Sequence, residues 1–250
     1  MAAYDFRTPR LFVDAPLSPG ASVRLEPHQA HYIVNVLRKA PGDSVLVFNG
    51  RDGEWIGSVR KEGRRDVGLD LVEQTRPQPP AGDLDYLFAP LKQARLDYMV
   101  QKAVEMGVAR LRPVITAHTQ VARVNETRMR ANAIEAAEQC GVLAVPEIAA
   151  PEALPAAVAG LDPERLLVFC DEDAEIADPV ATLAPFRDAA DPVPVAVLIG
   201  PEGGFSEAER KALLAHRRVA RLALGPRILR ADTAAVAALA LVQAVLGDWR

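Results

Sequence analysis

Short apolar runs, broken every few residues by Gly, Asp and Pro, fill the first seventy residues of the chain: RLFVDA, SVRLEP, DSVLVFNG, EWIGSVRK and DVGLDLVEQ. Runs of this length, rich in Val and Leu and bounded by turn residues, predict β-strands. FNGRDGEW predicts a hairpin connection, because Gly50 and Gly53 can both take positive φ. EPHQAHYIVNVLRKAPGD, between the second and third runs, predicts a short helix and a turn. Many short strands with one helix imply a small β-barrel over residues 1–73. QTRPQPPAG, residues 74–82, is the linker candidate, since proline and glycine crowd out both helix and strand.

From Asp83 onward the rhythm changes. Apolar strand-like runs (LDYLFAPL, RLRPVITAHT, RLLVFCDE, PVAVLIG, VARLALG) alternate with helical periods. Leu96, Met99, Val100 and Ala103 share one helix face, closed by Gly107. Met129, Ala133, Ala136, Ala137 and Cys140 share another, capped by Asn125 and ended by Gly141. Ser206 and Glu209 form a capping box before a further helix, and AAVAALALVQAVLG predicts a terminal one. Alternation of this kind predicts an α/β domain with a mostly parallel sheet over residues 83–250.

Composition adds exclusions. Half of the 250 residues are hydrophobic, so a large core can be buried. The longest apolar run near the C-terminus is too short to span a bilayer, and the N-terminus shows no secretory pattern. Two isolated cysteines, Cys140 and Cys170, fit reduced thiols; a cytoplasmic protein is expected. Net charge is −4. The first 72 residues hold ten Lys/Arg against nine Asp/Glu, while the remainder is acidic. Charge therefore neither names nor excludes a nucleic-acid partner. On charge alone, the basic clusters at Arg38–Lys39 and at Arg60, Lys61, Arg64 and Arg65 read first as solvated loops.

No phosphate loop, no G-x-G-x-x-G and no G-x-S-x-G is present. Four histidines and two scattered cysteines offer no metal-ligand cluster, and no metal is expected. What remains is a pair of Gly-Pro loops, LIGPEGGFS and LGPRILRADTA, each following an apolar strand. Ligands in open α/β sheets lie outside the carboxyl ends of strands. Fixed loops of this kind expose main-chain groups able to read a neutral base. Tight structural turns are the alternative for each loop alone.

These segments, with QKAVEMGV and IEAAEQCG and the N-terminal RLFVDAP, HYIVNVLRKAPGD and VFNGRDGEW, resemble the RsmE family of 16S rRNA uridine N3-methyltransferases along nearly the whole chain. The resemblance implies an α/β protein with an N-terminal PUA-like RNA-binding barrel and a C-terminal SPOUT domain tied in a trefoil knot. It implies S-adenosylmethionine (SAM) as cofactor, a homodimer, and the small (30S) ribosomal subunit as substrate. The target would be N3 of a uridine in the decoding region (uridine-1498 in that family).

The cofactor residues so implied are Ile199, Gly200, Pro201, Glu202, Gly203, Leu222, Leu224, Gly225, Ile228, Leu229, Arg230 and Thr233. Arg230, Glu202 and Asp232 are the catalytic candidates. Arg230 would stabilise the uridine imide anion and a carboxylate would take its proton, or Arg230 would simply lock Asp232. Arg7, Arg10, Arg38, Lys39, Arg60, Lys61, Arg64, Arg65 and Arg123 are the RNA-contact candidates. His118 and Val142 replace arginines frequent in the family, and Asp232 replaces Glu. Two other outcomes stay open at this point: a SPOUT methyltransferase with another RNA target, and a non-catalytic RNA-binding assembly protein.

Overall fold

A computed structural model of the chain describes residues 5, 7–61, 63, 66–121, 123–171, 174, 178–187 and 193–249. The chain divides into two units, Met1–Ala81 with Ile134–Val145, and Gly82–Ala133 with Pro146–Arg250.

In the first unit β1 (Arg10–Phe12), β2 (Ser22–Arg24), β3 (Ser44–Phe48), β4 (Glu54–Lys61) and β5 (Val67–Arg76) form one sheet in the order β1-β3-β4-β5-β2. Leu11, Val23, Val47, Trp55, Val59, Leu69 and Leu71, drawn from all five strands, share a single core. A sheet can turn every strand toward one core only by curling, and the β4–β5 ladder carries two register shifts that help it do so. Gly50 and Gly53 take φ of 81° and 78°, as the hairpin reading requires. The strand β5 runs on to Arg76, so the start of the expected linker is sheet. The predicted helix is α1 (Pro27–His31), which widens into a π-turn at Tyr32–Val36 and stops at Arg38, φ 55°.

A buried charge network closes the same unit. Glu54, 3% exposed, accepts from Arg10 Nε at 2.8 Å and from Arg76 Nη2 at 2.6 Å. Arg76 also donates to the Gly141 carbonyl (3.0 Å), and the Phe12 amide donates to Glu138 (2.8 Å). Residues 134–145 are thereby fastened to this sheet.

In the second unit β6 (Leu84–Phe88), α2 (Gln93–Glu105), β7 (Arg110–Ile115) and the first part of α3 (Glu126–Cys140, whose residues from Ile134 on belong to the first unit) come first. They are followed by β8 (Glu147–Ile148), β9 (Glu152–Ala153), α4 (Leu154–Ala159), β10 (Leu166–Cys170) and α5 (Pro179–Leu183). Then come β11 (Val195–Ile199), α6 (Glu207–Leu214), β12 (Val219–Leu222) and α7 (Ala231–Val245). The strands are parallel in the order β12-β10-β11-β6-β7-β8, with β9 on the end of β7. Every residue of β6 and β11 is buried, as expected of strands covered on both faces. Asp85 on β6 is fully buried and is compensated by Arg110 (2.6 Å) and Arg112 (3.3 Å).

The predicted faces of α2 and α3 are buried, with one correction: Cys140 ends α3 exposed. Asn125 accepts the Arg128 amide at 3.0 Å, and both halves of the Ser206–Glu209 box are made. No described helix is long and apolar enough to cross a membrane.

Candidate functional site

Three neighbouring strands set up one crevice. Cys170 at the end of β10 is in register with Ile199 at the end of β11 on one side and with Leu222 at the end of β12 on the other. Parallel direction puts all three following loops at the same edge, where an open α/β sheet takes its ligand. The loops enclose a cavity of about 460 Å³. Its apolar wall includes Ile199, Phe205, Leu222, Leu224 and Leu229; Asp171, Glu202, Arg227 and Arg230 bring charge.

Of the expected cofactor residues, Ile199, Gly200, Pro201, Glu202, Leu222, Leu224, Gly225, Ile228, Leu229 and Arg230 line this cavity. Gly203 and Thr233 do not. A Cβ on Gly203 would meet His118 at 3.2 Å, and Thr233 points its amide at the Asp232 carboxylate (3.1 Å). The two loop glycines act differently. Gly225 has φ 90° and nothing within 4 Å of a Cβ position, so backbone conformation alone requires it. Gly200 has ordinary φ, but a Cβ there would fall 2.7 Å from the ring of Phe205, which packs edge-on to Phe169 at 6.1 Å.

The first loop is secured at its far end. Glu209, 8% exposed, accepts from Ser206 N and Oγ (both 2.9 Å) and from the Ala117 amide at 2.7 Å. His118 donates Nδ1–H to the Gly204 carbonyl at 3.1 Å. A second tie lies at the back of the cavity. The Asp171 side chain, 1% exposed, holds Arg210 of α6 at 3.0 Å and Arg221 of β12 at 2.7 Å.

Beside the first loop stands a residue that sequence reasoning passed over. Arg95, in the first turn of α2, donates to both Asp232 oxygens (Nη2–Oδ1 3.0 Å, Nε–Oδ2 3.2 Å) and, through Nη1, to Glu202 Oε1. A cation in a first helical turn faces the positive end of the helix dipole and so calls for carboxylate partners. That placement was the available signal, as was Asp171, a charge at the end of an apolar strand. Hydrogen bonds from Arg95 hold both Glu202 and Asp232 below the usual carboxylate range. Asp232 is thus engaged by Arg95, and the alternative reading, an Arg230–Asp232 lock, is absent among the described contacts. Arg230 instead stands at the N-cap position of α7, making no side-chain cap, and is exposed.

Cys170 also lines the cavity. Burial first, then the Asp171 charge, pushes its thiol up to about 12, which disfavours the thiolate. No group of three or more His, Cys, Asp or Glu suited to a metal occurs among the described residues.

The RNA-contact candidates divide. Arg7, Arg38, Lys61 and Arg123 are exposed, and Lys39 is half-buried. Arg60 is half-buried and pairs with Asp70 at 3.4 Å. Arg10, 7% exposed and committed to Glu54, is withdrawn from the set: its guanidinium is structural. Arg64 and Arg65 lie outside the described residues.

The cavity suits SAM on its own features: a size suited to a small ligand, an apolar wall for a base, loop main chain at its rim and a carboxylate for a cationic group. The sequence matches the family model for the RNA methyltransferase domain over residues 77–243 and that for the RNA methyltransferase PUA domain over residues 25–71. Ribosomal RNA small subunit methyltransferase E of Rickettsia conorii is 28% identical, covering 94% of each chain. Its namesake from Bacillus subtilis is 27% identical over 86% of each. The crystal structure of ribosomal RNA small subunit methyltransferase E from Neisseria gonorrhoeae, bound to SAM, is 25% identical with a TM-score of 0.83, covering 98% of this chain and 100% of that one.

Proposed function

Because the chain belongs to the RNA methyltransferase family, with that family's PUA domain before its catalytic domain, we propose that it is a SAM-dependent methyltransferase of 16S rRNA that modifies N3 of a uridine in the decoding region. The observation that carries the reading is the cavity at the ends of β10, β11 and β12, built from both Gly-Pro loops. When bound there, SAM supplies an electrophilic methyl group on a sulfonium.

Main-chain groups of Ile199, Gly200, Leu224 and Leu229 would hold the adenosine part. N3 of uridine becomes a nucleophile only as its proton leaves, so the site must favour an imide anion. Arg230, exposed at the rim, supplies positive charge for it. Asp232 spends both oxygens on Arg95 and is left with a supporting role. Glu202 gives only Oε1 to Arg95, so among the described contacts its Oε2 is the carboxylate oxygen left to accept the proton. The exposed cations of the first unit contact RNA phosphates. A homodimer, a trefoil knot and a cytoplasmic location complete this reading.

The test is to incubate the protein with radiolabelled SAM and 30S subunits from a strain lacking it, then map the label. Label on one uridine N3 of 16S rRNA is expected. Label on tRNA, or on large-subunit rRNA when those substrates are offered instead, would redirect the reading. An absence of SAM binding by calorimetry would end it.

A further inference from the structure

Arg95 links the first cavity loop to the start of α7. Its two-point contact with Asp232 anchors the guanidinium to the start of α7, just past the second loop. Asp232 is the better buried partner, with 18% of its side chain exposed. The remaining donor, Nη1, reaches Glu202 in the first loop, whose side chain is 53% exposed and which also lines the cavity. One contact is firm and sheltered; the other is single and at the surface.

From this asymmetry we infer that Arg95 is a positioning residue for the cofactor: a strut, fixed on Asp232, that holds the Pro201–Gly204 turn over the cavity and sets how tightly the ligand is kept. The inference rests on the reading of the cavity as the SAM site. Arg95 itself lies outside the cavity lining and touches no reacting atom. It works through Glu202, holding that carboxylate in a fixed place beside Asp232. An exposed single ion pair is worth little by itself. Here it is part of a three-residue network spanning segments far apart in sequence, and its loss frees a loop that closes a binding site.

The network predicts non-additivity. SAM affinity is measured by calorimetry for wild type, Arg95→Met, Glu202→Gln and the double variant, with no RNA present. Each single substitution should weaken binding by roughly fivefold, and the double variant should bind about as well as either single one. The unfolding midpoint is followed in parallel. Losses that multiply in the double variant would show that Glu202 acts without Arg95 and would overturn the inference. Unchanged affinity in Arg95→Met would overturn it too, even if the protein were less stable. A wild type that binds no SAM would overturn the functional reading and this inference together, so the two failures are distinguishable. Glu202 lies on an exposed turn, so Glu202→Gln does not threaten folding.

Discussion

Asp171 and Arg221 meet at 2.7 Å, Oδ2 to Nε, where β10 and β12 run side by side toward the cavity. The other oxygen of the same carboxylate holds Arg210 of α6. One buried acid thus ties the helix that follows the first loop to the strand that precedes the second. Removing one member of a buried ion network costs several kcal/mol, less where its partners reach solvent, as both arginines here do. Asp171→Ala is expected to cost about 2 kcal/mol and to weaken SAM binding. Urea unfolding and calorimetry measure the two effects, and a variant unchanged in both would show the tie to be idle.

Gly200 and Gly225 should respond to substitution for different reasons. Gly200→Val drives a side chain into the Phe205 ring and should abolish SAM binding while the first unit stays folded. Gly225→Ala meets no atom and pays only for its left-handed backbone, about 1 kcal/mol. Comparable losses of affinity in the two variants would contradict this division.

Glu138 predicts an inverted pH effect. Burial, and secondarily Glu135, pushes its carboxyl up from the ordinary 4.5 to about 6, against the opposing hydrogen bond from Phe12. A carboxyl raised in the folded state contributes stability that is complete below about pH 4.5 and is lost as pH rises through about 6. Glu138→Gln can still accept the Phe12 amide and removes the charge. It should therefore be about 1 kcal/mol more stable than wild type at pH 8, after allowance for solvent, and equal to it at pH 4. Thermal melts across that range check the crossover.

Arg10 and Lys61 should separate fold from recognition. Arg10→Ala removes one arginine from the buried Glu54 carboxylate and should lower stability by about 3 kcal/mol. Lys61→Ala should leave stability unchanged, weaken RNA binding and reduce the slope of log affinity against log salt by about 1. Filter binding over a salt series distinguishes them.

Periodicity made the long elements legible: α2, α3, α7 and the strands β6, β7, β10, β11 and β12 follow from it. α4, α5, β8 and β9 were not, because each has two to six residues and shows no period. The two Gly-Pro loops were legible as a site because their composition is unusual and their strands are apolar. Arg95 and Asp171 were not, since what distinguishes them most is partners 39 to 137 residues away. Arg10 misled for the same reason. A lone arginine in a strand looks the same in sequence whether it faces a phosphate or a buried glutamate.

The fastening of residues 134–145 to the first sheet bears on how the protein is made. Arg76 reaches Gly141, the Gln78 side chain reaches the Leu143 carbonyl, and Phe12 reaches Glu138. On a translating ribosome the five strands emerge first, yet these contacts cannot close until residue 145 has left the exit tunnel. By then the opening β-α-β-α of the second unit is already outside. The two units therefore mature interleaved rather than in succession. A fragment cut at Ala81 should be a poor stand-in for the first unit, and a stop or pause within residues 82–133 should leave the first sheet open to proteolysis.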